Sequence, residues 1–231
     1  MICIVNFKTQ MSYLLQKQWL KDAAEQYRDF DLWLAPTLPE LNNYAGVQIV
    51  AQNISVTERT VGEISGDILN HLGIQYSIIG HLERRQLLNE STAIINGRLN
   101  SCFKHGITPI ICLGVHSGPD LVLREFKSII KKTSLINRDI VVVYESLQST
   151  KLGYSTYSDV EMEAVYMMLH QYLEDLKISG NGPRTFKLIM GGHVDEEGIK
   201  LANKIGYDGV LIGDRYQNID EFKVITEAIA L

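Results

Sequence analysis

Eight short apolar, β-rich runs recur along this chain, and each leads into a stretch whose apolar residues fall at helical spacing. The runs lie at residues 2–6, 31–35, 47–51, 76–79, 108–112, 140–144, 187–190 and 209–212. Such alternation indicates a parallel sheet, and eight pairs within 231 residues favour closure into a (β/α)8 barrel over an open sheet. The expected fold class is therefore α/β, a closed barrel in a single domain over residues 1–231. With 45% hydrophobic residues the chain can bury one large core, and no second full domain is expected.

The helical stretches are read at 12–24, a short piece near 38–44, 65–72 capped by Ser65, 89–104 closed by Gly106, 121–132, 158–176, 196–205 and 219–229. In the first, Leu14, Leu15, Trp19 and Ala23 recur at helical spacing; in 89–104, Ile94, Ile95, Leu99 and Phe103 share one face. The stripe Val160, Ala164, Met167, Met168 and Tyr172 reads as core packing rather than a cofactor surface.

A net charge of −5 argues against a general nucleic-acid surface, while leaving room for a local basic pocket that takes an anionic metabolite. Cys3, Cys102 and Cys112 are odd in number and irregular in spacing, which suggests neither a disulfide framework nor a zinc site and points to a reducing compartment. No run approaches membrane-spanning length, and the first seven residues lack the features of a signal peptide, so a soluble cytoplasmic protein is expected. The first strand is not followed by Gly-x-Gly-x-x-Gly, and no Walker-type lysine loop occurs.

In a barrel of this kind, residues just past the C-terminal strand ends face the active site. The polar ones are Asn6 and Lys8 after the first run, His81 after the fourth and Glu145 after the sixth; Gly191 and Gly192 follow the seventh and Gly213 the eighth. His81 stands between an apolar run and a charged helical start. Unpaired N–H groups at such a junction disfavour a protonated imidazole, and the neutral ring can donate to a carbonyl oxygen; the other reading is a satisfied core histidine. Glu145 ends an apolar run, where loss of water suits a carboxylate to act as a base, unless it is paired with a lysine on a neighbouring strand end. Lys8 is either a charge for an anionic substrate or a solvated side chain at a helix start. The three glycines allow backbone N–H groups to approach a phosphate, or are turn residues.

Order and spacing then bring a family into view. The segments are Val-Asn-Phe-Lys at 5–8, Ala-Pro-Thr at 35–37, Ala-Gln-Asn at 51–53 and Gly-Glu-Ile-Ser at 62–65. They continue with Gly-His-Leu-Glu-Arg-Arg at 80–85, Thr-Pro-Ile-Ile-Cys-Leu-Gly at 108–114, Tyr-Glu at 144–145 and Gly-Gly-x-Val at 191–194. With them the chain resembles the triosephosphate isomerase family over its whole length.

The resemblance implies a TIM barrel and a glycolytic and gluconeogenic isomerase that acts on triose phosphates without metal or organic cofactor. It makes Glu145 the base between adjacent carbons, His81 the neutral electrophile, Lys8 the cation beside the enediolate and Asn6 its support. The pairing of a glutamate base with a neutral histidine under a closing loop is this family's own known logic, taken over with the resemblance. It also implies a homodimer, or a tetramer as in some archaea, in which the loop after the third strand inserts beside the neighbour's site. Glu63, Arg84 and Glu83 become interface or support residues, and Gly153, Gly191, Gly192 and Gly213 the phosphate-binding ones.

The chain departs from the family in places. The loop 146–153 lacks the proline-led hinge and the Gly-Thr-Gly tip, keeping only Gly153; His193 replaces a serine and Asp214 a glycine; Leu82 and Val61 replace a serine and a threonine. A carboxylate about 4 Å from a phosphate charge repels it by about 4 kcal/mol at an effective dielectric near 20, unless His193 or Lys151 neutralises Asp214. Two further readings therefore stand beside the first: an isomerase of another small sugar or sugar phosphate, and a noncatalytic relative with an impaired phosphate site.

Overall fold

The computed structural model describes residues 1–27, 29–40, 44–152, 156–213 and 219–230, without the side chains of residues 39, 151, 152, 220, 221 and 230. Its strands are β1 (Ile2–Asn6), β2 (Leu32–Ala35), β3 (Gln48–Ala51), β4 (Tyr76–Ile79), β5 (Thr108–Leu113), β6 (Asp139–Glu145), β7 (Thr185–Gly191) and β8 (Gly209–Ile212). All neighbours pair in parallel, and β1 pairs β8 from Ile2↔Gly209 to Val5↔Ile212, which closes the barrel.

Successive strand residues point to opposite faces, so each strand feeds two cores. Ile4, Trp33, Val50, Ile78, Ile110, Val141, Val143, Ile189 and Leu211 fill the barrel interior. Cys3, Val5, Leu34, Ile79, Ile111, Val142, Tyr144 and Met190 belong to the layer shared with the helices. This parity decides where the chemistry can sit. Glu145 continues the Val141, Val143 row, Asn6 the Ile2, Ile4 row and Gly191 the Ile189 row, so all three face the barrel axis at its C-terminal mouth.

The helices are α1 (Tyr13–Gln26), α2 (Gly66–His71), α3 (Leu82–Leu87), α4 (Thr92–Lys104), α5 (Pro119–Ile129), α6 (Leu147–Leu152), α7 (Asp159–Ile178), α8 (Glu196–Ile205) and α9 (Ile219–Ala230), with a 3-10 turn at Leu38–Glu40. Ser12, Ser65, Ser91, Ser158 and Asp195 cap their helices by accepting the backbone N–H three residues on.

Three differences from the sequence reading have physical causes. On α7 the buried residues are Met162, Val165, Leu169 and Leu173, while Val160 and Met167 are exposed. Apolar residues occupy two adjoining faces there, and only packing against the strands chooses between them. On α1 the buried row is Gln16, Trp19, Leu20 and Ala23, and Leu14 and Leu15 face outward. β7 starts at Thr185, before its apolar part, because Arg184 and Thr185 both bond Asp139 at the start of β6.

Candidate active site

The site begins where β1 ends. Lys8 holds φ +50, a left-handed conformation that costs a residue with a side chain about 1–3 kcal/mol. Local hydrogen bonds maintain it: Asn6 Oδ1 accepts the Lys8 N–H at 3.1 Å, and Gln52 Nε2 donates to the carbonyls of Lys8 and Ala35 at 3.0 and 2.9 Å. So held, the Lys8 side chain crosses the mouth and its Nζ lies 2.6 Å from Glu83 Oε1.

His81 is the N-terminal cap of α3, and its carbonyl accepts the N–H groups of Arg84 and Arg85. Its ring performs the capping: Nδ1 accepts the Glu83 N–H at 3.3 Å. A nitrogen that accepts carries no proton, so in the neutral ring the proton is on Nε2. That nitrogen lies 3.8 Å from Glu145 Oε2.

Glu145 is 5% exposed, and among the described residues its Oε1 is buried without a hydrogen-bond partner. A buried carboxylate oxygen without a protein partner is costly in a folded protein and calls for a reason beyond packing. Its surroundings are shaped to admit it. A Cβ on Gly191, the register partner of Glu145, would stand 2.9 Å from Glu145 Cγ; one on Gly192, at φ +96, would stand 2.7 Å from the Ser146 nitrogen. These glycines are thus required by the glutamate and its following turn, whatever else they bind. Inside the barrel, burial first and then the adjacent Glu145 charge push the Cys112 thiol well above its ordinary range.

Lys8, His81, Glu83, Glu145, Gly192, His193 and Gly213 line one cleft of about 40 Å³, with Thr150 of α6 and the apolar Leu82, Val194, Leu211 and Ile212. Gly213 flanks the lysine, since a Cβ there would lie 3.5 Å from Lys8 Nζ. His193 holds φ +56. Gly153 and Asp214 lie outside the described residues. α6 forms within the segment read as an irregular loop, where the Thr150 N–H and hydroxyl both bond the Ser146 carbonyl. Ser149 is fully buried and accepts the Thr156 N–H at 3.0 Å, and the Tyr157 hydroxyl donates to the Gly192 carbonyl at 2.8 Å. The first bonds close the turn of α6, Ser149 joins it to Thr156, and Tyr157 ties the chain beyond it to Gly192 in the cleft wall.

Behind α3 lies a buried charge network. Arg98 Nη2 reaches Glu63 and Glu90 at 2.6 Å each, Arg84 Nη2 reaches them at 3.1 and 2.7 Å, and Asn53 donates to Glu63 at 2.9 Å. Two guanidinium groups balance two carboxylates, so burial does not leave a naked charge. The network joins the loop after β3 to α3 and α4 and holds from behind the helix that His81 caps. Glu63 and Arg84 belong to it rather than to the cleft.

Thr150, Gln52, Glu90 and Arg98 were not found by sequence reasoning. For Arg98 a signal existed: it interrupts the apolar row Ile95, Leu99 and Cys102, where a charge on the buried side of a helix demands a partner.

The family model described as Triosephosphate isomerase matches residues 1–229. The protein named "Triosephosphate isomerase" of Acetivibrio thermocellus is 28% identical over 203 residues, covering 83% of this chain and 80% of that protein. The one of the same name from Synechococcus sp. (strain JA-3-3Ab) is 29% identical over 201 residues, covering 81% of this chain and 73% of that protein. A family match that runs through all eight strands of a closed barrel leaves one assignment: the chain belongs to the triosephosphate isomerase family.

Proposed function

We propose that this protein interconverts glyceraldehyde 3-phosphate and dihydroxyacetone phosphate through an enediolate, and that residues 1–231 form one domain that carries the whole reaction. The observation that carries this reading is Glu145 Oε1, buried and without a hydrogen-bond partner among the described residues, beside a histidine whose Nδ1 is committed to accepting. Glu145 takes the proton from the carbon next to the carbonyl. The C–H electron pair becomes the carbon–carbon double bond, and the carbonyl π pair moves to oxygen. His81 donates from Nε2 to that oxygen as charge develops, and returns a proton between the two oxygens. Lys8 supplies positive charge beside them. Reprotonation at the neighbouring carbon by Glu145 completes the isomerisation, which is redox-neutral and needs no electron carrier.

Lys8 Nζ and Glu83 Oε1 are joined at 2.6 Å in the cleft, so an anionic substrate that takes up the lysine's charge parts that pair as it enters. His193 supports a second reading in which the substrate is another small sugar or sugar phosphate: an imidazole with a left-handed backbone stands where the family places a serine.

We place the protein in a reducing cytoplasm and as a homodimer. Its three cysteines are unpaired and buried, and among the described residues no helix is long and apolar enough to cross a membrane. Val61, in the loop after β3, is 98% exposed, and beside the same loop a cavity of about 460 Å³ is lined by Leu38, Asn53, Gly62, Ile64 and Leu88, of which Leu38 and Leu88 are exposed. In the homodimer we propose, a second copy's Val61 loop covers that opening.

A coupled assay in both directions, with proton exchange at the carbon beside the carbonyl, tests the reaction. Turnover of both triose phosphates is expected. Exchange only with other small aldoses or ketoses moves the assignment to the second reading, and no exchange with any of them defeats both.

A further inference from the structure

Glu125 sits on the buried row of α5, between Val122 and Phe126 with Ile129 one turn on, and is 6% exposed. A charge there is costly unless paired. It is engaged twice: Oε1 accepts from Arg85 Nη1, and Oε2 accepts the Gly114 backbone N–H at 3.3 Å. Arg85 belongs to α3, and its own backbone N–H bonds the His81 carbonyl at 3.2 Å. Gly114 follows β5 with φ +135. A Cβ on it would fall 2.2 Å from the Glu145 carbonyl oxygen and 3.4 Å from the Glu145 Cβ, so the glutamate's backbone rests directly on this glycine. One carboxylate on the outer helix layer thus grips both the segment that carries the histidine and the segment that supports the glutamate.

We propose that Glu125 is a positioning residue for the His81–Glu145 pair, setting their separation through Arg85 on one side and Gly114 on the other. The inference rests on the isomerase reading. Without Glu125, Arg85 keeps a buried charge but loses its ion pair, and Gly114 loses its acceptor, so α3 and the end of β5 relax independently. Displacement of a reacting group by about 1 Å is enough to cost about a hundredfold in rate. Binding depends less on that spacing, so the loss falls on kcat.

The test compares the parent chain with Glu125→Ala and with the double variant Arg85→Met, Glu125→Met, which leaves no unpaired ion buried. Rates are read well below each melting temperature. We expect kcat to fall at least about tenfold in both variants with KM within about threefold of the parent. A merely structural role predicts that kcat recovers in the double variant. A double variant within about twofold of parental kcat, or a rise in KM matching the fall in kcat, overturns the proposal. If the parent turns over no triose phosphate, the isomerase reading fails separately, and the brace is judged from the imidazole nitrogen resonances of His81. They shift in Glu125→Ala if the brace holds; unchanged resonances overturn it.

Discussion

Glu145 is buried and Lys8 is held at the cleft by Glu83, and variants at Glu145 and Glu83 should separate accordingly. Glu145→Gln keeps the shape of the side chain but removes the base; we expect kcat to fall by about 10²–10⁴-fold with little change in KM, measured by steady-state coupled assay. Glu83→Gln removes the carboxylate that holds Lys8 Nζ at 2.6 Å. On the isomerase reading it should lower KM, because the anionic substrate no longer has to displace the Glu83 carboxylate; a raised KM would show that Glu83 orients the lysine instead. The principal strand-end residues were legible because each is polar where an apolar run stops. Glu125 was not, because a glutamate in an amphipathic helix reads as solvated unless its place on the row Val122, Phe126, Ile129 is noticed. The same holds for Gln16 on α1, buried beside Trp19 and Leu20 and bonded to Thr37 and Met11.

At six residues α3, like α2 and α6, is too short to be stable alone and depends on groups outside itself. The Arg84, Arg98, Glu63 and Glu90 network holds it from behind. Burial alone would raise the Glu90 carboxyl, but hydrogen bonds from Arg84 and the charge of Arg98 prevail and keep it below its ordinary value. A lowered folded-state value gives stability that is complete above the unfolded glutamate value of about 4.3 and is lost as pH falls through the folded one. Glu90→Gln should therefore be less stable than the parent at neutral pH, by up to about 3 kcal/mol, because the buried Arg98 and the partly exposed Arg84 then share Glu63 alone. The gap should narrow below about pH 4 in denaturant titrations; a gap independent of pH would contradict this. Strands were read to within a few residues because period two and β-branched residues coincide, as at Ile140 to Tyr144. α6 escaped because Ser-Leu-Gln-Ser-Thr-Lys carries no apolar row; its turns are held by Ser146 and Ser149, polar side chains that serve loops equally well.

Over the whole molecule, burial of every cysteine makes thiol chemistry a reporter of unfolding. Burial pushes Cys3, Cys102 and Cys112 above the ordinary thiol range, so their reactive thiolate is suppressed at neutral pH in the native state. An aromatic disulfide reagent should label none of them in the folded protein and all three in denaturant, with labelling that tracks the unfolding transition; rapid native labelling would reveal local opening. The barrel itself was legible as eight repeats, but the evenness of its closure was not. β6 and β7 are registered along their whole length, from Asp139↔Thr185 to Glu145↔Gly191, whereas β3 meets β2 only at Trp33↔Gln48 and Leu34↔Ile49 and meets β4 only at Val50↔Tyr76 and Ala51↔Ser77. β3 is the loosest stave of the cask, and the loop bearing Val61 springs from its end. In the dimer we propose, a second copy seated on that loop would act as a hoop, so amide protons of β3 should exchange with solvent faster on dilution, while those of β6 and β7 keep their pace.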